Sequence, residues 1–441
     1  MAASVPPPVF PALALRSSTI VTSRDVREGW LIVRRGRIES IREQPPDDAR
    51  RVDLGELALL PGLVDTHVHI DEPGRTDWEG FTTGTRAARA GGITTLVDMP
   101  LNSVPATTSA AALQAKRDAA RGQCAINVAY WGGVVPGNAD ELEPLAAAGV
   151  CGFKCFMVPS GVDEFEHVTE RDLREAMPIL AQLGLPLLVH AELPAPIERA
   201  NAAVAGRDPR AYATWLASRP PEAEIEAIRL VLRLCEETGC RVHIVHLAAA
   251  AALDDVRAAR ERGLPVTVET CPHYLTFAAE DIPEGATEYK CAPPIRSTAN
   301  REILWQGLLD GDIDLVASDH SPCPPAMKHG DTGDFMAAWG GIASLELGLA
   351  AVWTGARQRG ATLADVVRWM AERPAGLAGL SERKGKLEPG YDADLIAFDI
   401  DARWTVDPAL LRQRHKVTPY AGMSLSGRVE GVWLGGAELA L

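Results

Sequence analysis

The chain has 441 residues, of which 46% are hydrophobic and 23% charged, enough apolar content to bury a large core. Its 44 basic residues against 59 acidic ones give a net charge of −15, which disfavours nucleic acid and other polyanionic partners. The N-terminal run MAASVPPPVFPALALRSS has no charged segment leading into a long apolar core, and no stretch reaches the ~18 apolar residues of a spanning helix, so a soluble, cytoplasmic protein is expected.

Residues 12 to 55 contain GWLIVRRGRIESI, one of several short alternating segments separated by glycine turns. From about residue 60 to 360 the pattern changes to a short β-rich apolar run, a turn and an amphipathic helical segment, repeated. The predicted strands are GLVDTHVHI, ITTLVDMP, AINVAYWGGVV, GFKCFMV, PLLVHAEL, RVHIVHL, PVTVETC and IDLVASDH. Between them WEGFTTGTRAARAGG, EAEIEAIRLVLRLCEETG and LDDVRAARERG carry apolar residues at helical spacing and end in glycine, a helix stop. Such alternation predicts an α/β fold, a (β/α)8 TIM barrel. The tail returns to short alternating segments, DADLIAFDI and GRVEGVWLGG. Residues 1-58 and 381-441 are therefore read as one composite β-sandwich domain, and 59-380 as the barrel. Eight cysteines are too sparse in so long a chain for a disulfide scaffold and are read as reduced core thiols.

Barrel enzymes place their chemistry at the C-terminal ends of the strands. Six ionisable or metal-compatible residues fall there: His67 and His69 on the first strand, Lys154 on the fourth, His190 on the fifth, His246 on the sixth and Asp319 on the eighth. His67 and His69 are separated by one residue, so the period of two turns both to one face. Any one of them alone reads as a hydrogen-bonded core residue or a helix cap, but their conjunction on one barrel face points to a metal site. His243, three residues before His246, is predicted to face the other way and to be structural, and His167, His329 and His415 fall in loops and are assigned no chemistry. Imidazole and carboxylate donors without cysteine pairs suit zinc, with manganese, cobalt or iron as competitors. The set is too large for one open catalytic ion, so two adjacent ions fit better. An ammonium at Lys154 would be repelled by them, so this lysine is neutral, points away, or has become an anion.

Those residues, with the tail motif GKLEPGYDADLIAFD, resemble the binuclear amidohydrolase superfamily, and within it the cyclic amidohydrolases: dihydroorotases, hydantoinases or dihydropyrimidinases, and allantoinases. The resemblance covers nearly the whole chain. It implies that Lys154 is carboxylated by CO2 to a bridging carbamate, that His67, His69 and Asp319 hold one Zn2+ with it, and that His190 and His246 hold the other. It also implies hydrolytic opening of a cyclic amide by a metal-bridged hydroxide, with Asp319 carrying the proton to the departing ring nitrogen. A homotetramer is implied in the same way. Relatives of this fold that became non-catalytic scaffolds lack several ligands, whereas all six positions are filled here.

The loop after the first strand bears on the substrate. Dihydroorotases carry an arginine two residues beyond the second histidine; this chain has Asp71, whose charge would add a negative element near the mouth and repel a carboxylate. HVHIDEPGRTDWEGF, VDMPLNSVP, GFKCFMVPSGVDEFEHV, KCAPPIR and WGGIASLELGL together resemble the allantoinases. Hydantoinases, the alternative, usually carry a tyrosine near the fourth-strand lysine, absent from KCFMVPSG. An uncharged ureido ring is recognised by hydrogen bonds, and by resemblance Asn102, Cys291, Ala292 and Gly341 approach it, the last three through backbone groups. Arg75 and Asp77 are read as ordering the first loop.

Overall fold

The structure, a computed structural model, describes residues 12–440. Residues 1–11, the first part of the proline-rich N-terminal run, lie outside them. All of the strands predicted for the barrel form: Leu63–Val68, Ile93–Asp98, Asn127–Tyr130 with Gly132–Gly133, Phe153–Phe156, Leu187–His190, Val242–Ile244, Val266–Thr270 and Leu315–Val316. Neighbours pair in parallel from the first to the third and from the third to the eighth. The third strand changes partner at Trp131, whose backbone N–H donates to Asp98 and whose indole donates to the Thr66 carbonyl at 2.8 Å. Closure comes from a parallel bridge between Val68 and His320, reinforced by the His69 N–H on the His320 carbonyl at 2.9 Å.

The connecting helices follow the sequence pattern. Phe81–Ala90 ends at Gly91, and Pro221–Thr238 ends at Gly239, which takes the left-handed conformation that a side chain would penalise. The alanine-rich stretch after His246 makes one 3-10 turn, Ala250–Ala252, before the helix Leu253–Glu261. Glu224 accepts the N–H groups of Ala248 and Ala249 at 3.0 Å each, so this bland turn is fixed by a buried carboxylate rather than by its own side chains.

Both ends of the chain share one sheet of eight strands. Ala12–Val21, Val26–Arg34, Arg37–Arg42, Ala49–Asp53 and Ala58–Pro61 come from the N-terminal side, and Leu395–Thr405, Ser424–Leu434 and Ala437–Leu439 from the C-terminal side. The join is antiparallel, Ala58–Pro61 against Leu395–Phe398, so sheet pairing runs up to Pro61 and the barrel begins after Gly62. Leu15, Ile20, Leu31, Leu59, Leu395 and Trp433 form a separate apolar core beneath this sheet. The C-terminal segment does more than complete it. Arg414 donates its backbone N–H to Glu79, Thr418 donates to the Ala343 carbonyl, and Arg412 pairs with Glu346, all on the barrel.

Candidate metal centre

The mouth of the barrel holds a cavity of about 310 Å³ lined by His67, His69, Asn102, His190, His246 and Asp319 among others. His67 and Lys154 are essentially without solvent contact, as an apolar barrel interior dictates. The His67 Nε2 is 3.2 Å from the Asp319 Oδ1, and the His69 Nε2 is 3.8 Å from the same oxygen. Donor atoms of these three residues all lie within 4.8 Å of one another. His190 and His246 sit edge to face with ring centres 4.6 Å apart, and His67 is 5.3 Å from His246, so the second pair adjoins the first.

Burial sets the electrostatics. It lowers the basicity of His69 and His246 well below the ordinary imidazole value, helped by neighbouring histidines and Lys154, and takes His190 down to about 4. Neutral imidazole is the form that binds a cation. Asp319 is pushed up by burial, against His67 and Lys154, which pull it down. Burial likewise takes the Lys154 amine down to about 8, opposed by Glu269 and Asp319. The Lys154 Nζ has no hydrogen-bond partner among the described residues and lies 5.0 Å from the centre of the Phe156 ring. Buried neutral imidazoles, a carboxylate and an unpartnered amine form a donor set that fits divalent cations.

Two buried acids orient histidines of this cluster, and the sequence reading assigned neither to the site. Glu269 accepts from His67 Nδ1 at 2.5 Å, which leaves the Nε2 lone pair facing the cavity. The same carboxylate is 3.0 Å from His243 and also accepts the backbone N–H of His246 at 3.2 Å. Although burial alone would raise it, His67 and His243 hold the Glu269 carboxyl well below the usual range. His243 thus takes part in holding the site, through the same Glu269 that orients His67. Glu192 lies 2.7 Å from His190 Nε2 and is itself paired with Arg219 at 2.5 Å. The chain carries a signal for both acids: Glu192 is two residues beyond His190, and Glu269 is a charge ending an apolar strand. Sequence alone does not reveal their partners, because Glu269 and His67 are 202 residues apart.

The expected substrate contacts divide. Asn102, Ala292 and Gly341 line the cavity. Asn102 places its side-chain amide nitrogen 3.5 Å from His69 Nδ1. Gly341 needs its missing side chain, since a Cβ there would meet the Ser321 carbonyl oxygen at 2.3 Å. Its backbone is already occupied: the N–H donates to the Lys290 carbonyl, and its carbonyl accepts from Lys328. Cys291 is buried behind the wall, with its carbonyl accepting the Trp215 indole at 3.2 Å. One reading is corrected. Asp71 is 1% exposed, beneath the mouth and not in the cavity lining, and burial, with Asp98 nearby, pushes its carboxyl well up. His329, in a loop as expected, is among the residues that line the cavity. Arg75 does order the first loop, by donating to the Asn102 carbonyl at 2.8 Å and pairing with Glu164.

Residues 58–439 match the model of the amidohydrolase family. The chain is 50% identical to an allantoinase of Streptomyces avermitilis over 97% of its length and 95% of that protein, and 44% identical to the Arabidopsis thaliana allantoinase over 96% and 87%. Among solved structures, the L-hydantoinase (dihydropyrimidinase) from Arthrobacter aurescens superposes with a TM-score of 0.93 at 31% identity, covering 98% of this chain and 96% of that one. With its barrel, its gathered histidines and these full-length likenesses, the chain belongs to the amidohydrolase family.

Proposed function

We propose that the chain is an allantoinase, a hydrolase that opens the ring of allantoin to allantoate at a binuclear zinc centre. The observation that carries the choice of ring is the full-length, 50% identity to the Streptomyces avermitilis allantoinase. The cavity wall agrees with an uncharged substrate, because its cationic side chains are already engaged. Arg219 is held by Glu192, and the Lys290 ammonium donates to the Met336 and Ala338 carbonyls. A carboxylate-bearing ring such as dihydroorotate would find no free basic side chain among these.

His67, His69 and Asp319 would hold one ion and His190 and His246 the other, with Lys154, as a carbamate, bridging them. When bound, the pair of cations supplies Lewis acidity and activates water near neutral pH. Carbamate formation suits the Lys154 site, since burial favours the neutral, nucleophilic amine and the new oxygens would give a partnerless group something to bind. Asp319, close to both first-strand histidines, takes the proton from the attacking water and delivers it to the ring nitrogen as the C–N bond breaks. Ser321 Oγ donates to Asp319 Oδ1 at 3.0 Å and so fixes which oxygen faces the histidines. Glu269 and Glu192 hold the ring orientations of His67 and His190 throughout. A homotetramer in the cytoplasm belongs to the same proposal; no helix among the described residues is long and apolar enough to cross a membrane.

The test is ring opening of allantoin, hydantoin, dihydrouracil and dihydroorotate by one zinc-loaded, bicarbonate-treated preparation, with a chelated control. Chelator-sensitive turnover of allantoin well above the others is expected. Preference for hydantoin or dihydrouracil would keep the metal chemistry and overturn the choice of ring.

A further inference from the structure

Close to Asp319, the seventh strand, Val266–Thr270, is followed by Cys271, Pro272 and His273. Cys271 and His273 are both 0% exposed. Donor atoms of Cys271, His273 and Asp319 all lie within 4.8 Å of one another. Both ring nitrogens of His273 lack any hydrogen-bond partner among the described residues. Tyr274, whose ring centre is 4.2 Å from that of His273, spends its hydroxyl on the Pro293 carbonyl at 2.7 Å and offers the imidazole nothing. A buried imidazole with neither nitrogen satisfied is a poor structural choice, because buried polar groups ordinarily find partners. The same imidazole beside a thiol and a carboxylate is a good ligand.

We propose that Cys271, His273 and Asp319 form an additional cation site that shares Asp319 with the binuclear centre, and that a soft divalent cation held there inhibits turnover. Donors around a tetrahedral ion lie ~2.0–2.3 Å from it, so a small inward adjustment of these side chains encloses one. The thiol makes this set softer than the histidine and carboxylate set of the catalytic centre, so cadmium, or zinc in excess, prefers it. Binding replaces the S–H bond of Cys271 with a sulfur–metal bond and releases the proton to water. Asp319 is the member of the trio that lines the cavity, which makes the cavity the way in. Once its carboxylate binds this extra ion, it no longer carries a proton between water and the ring nitrogen. The inhibitory part rests on the proposed role of Asp319, while the binding part stands on the cluster alone.

The experiment is a cadmium titration of enzyme whose catalytic centre is already filled with zinc. It is followed by the ultraviolet charge-transfer absorption of a cadmium thiolate, by zinc released to a chelating dye, and by allantoin turnover. One cadmium per chain is expected to bring up the band without releasing zinc, and turnover falls in step. Cys271→Ala is expected to lose both the band and the inhibition while keeping its turnover, and His273→Gln to weaken cadmium binding about tenfold or more. Circular dichroism confirms that each variant is folded, with Cys271→Ser as the second choice. Inhibition matched by zinc release, an unchanged band in Cys271→Ala, or no band at all would overturn the site. The band and the zinc count are read without substrate, so a failure of the allantoinase reading leaves them interpretable.

Discussion

The two halves of the proposed metal centre are built differently. His67, His69 and Asp319 are drawn within 4.8 Å of one another by protein alone, with Glu269 fixing one imidazole and Ser321 the carboxylate. The other half, Lys154, His190 and His246, is only partly fixed. His190 is oriented by Glu192 and Arg219, but the Nδ1 of His246 and the Nζ of Lys154 have no partner among the described residues. The first half is preorganised by the fold, and in the second two polar atoms are left for the proposed carbamate and ions to engage.

The sharpest way to break this comparison is Lys154→Ala. Removing the shared bridge is expected to cost both ions and more than about 10³-fold in turnover, as metal-activated water is lost. Acetate or formate is expected to restore part of it, and full metal occupancy of the variant by elemental analysis would defeat the idea. Asp319→Asn comes next, with kcat falling about 10²- to 10⁴-fold as the proton carrier is removed. If kcat stays near wild type in metal-replete enzyme, another group moves the proton.

Glu269→Gln and Glu192→Gln sharpen the contrast. Each is expected to weaken metal binding by about 10- to 100-fold. Glu269→Gln should be the worse of the two, because that carboxylate also holds His243 and the backbone of His246 and so reaches both halves. Metal titration of the variants separates them, and equal losses would mean that the two halves are not built differently after all. The smallest effect is one of rate. With the Lys154 amine held at about 8, its neutral fraction grows as pH rises through that value and shrinks below it. At fixed dissolved CO2, reactivation of metal-free enzyme should therefore be faster one pH unit above this value than one below. A flat profile would mean that the amine is not the group being charged.

Much of this site is legible in the amino-acid chain alone. Residues two apart on extended backbone tend to one face, which brings His69, one residue past the strand, beside His67, and alternating apolar runs with glycine-stopped helices left few folds besides a barrel. The joining of the two chain ends is legible as a composition pattern, but the register, Ala58–Pro61 on Leu395–Phe398, is not. The same limit applies to charge. Asp71 reads as an anion at the mouth until the fold buries it below the cavity, and His329, a loop residue as read, is brought to the cavity only by the fold.

Sequence by itself determined the barrel, the level at which its polar residues gather and the kind of ion they suit, because these follow from short-range periodicity and donor chemistry. Tertiary structure decided which atoms face the cavity, which acids orient them, and which buried groups are left without partners. Pairings such as His67 with Glu269 and Arg414 with Glu79 span hundreds of residues and arise only when packing closes the chain upon itself.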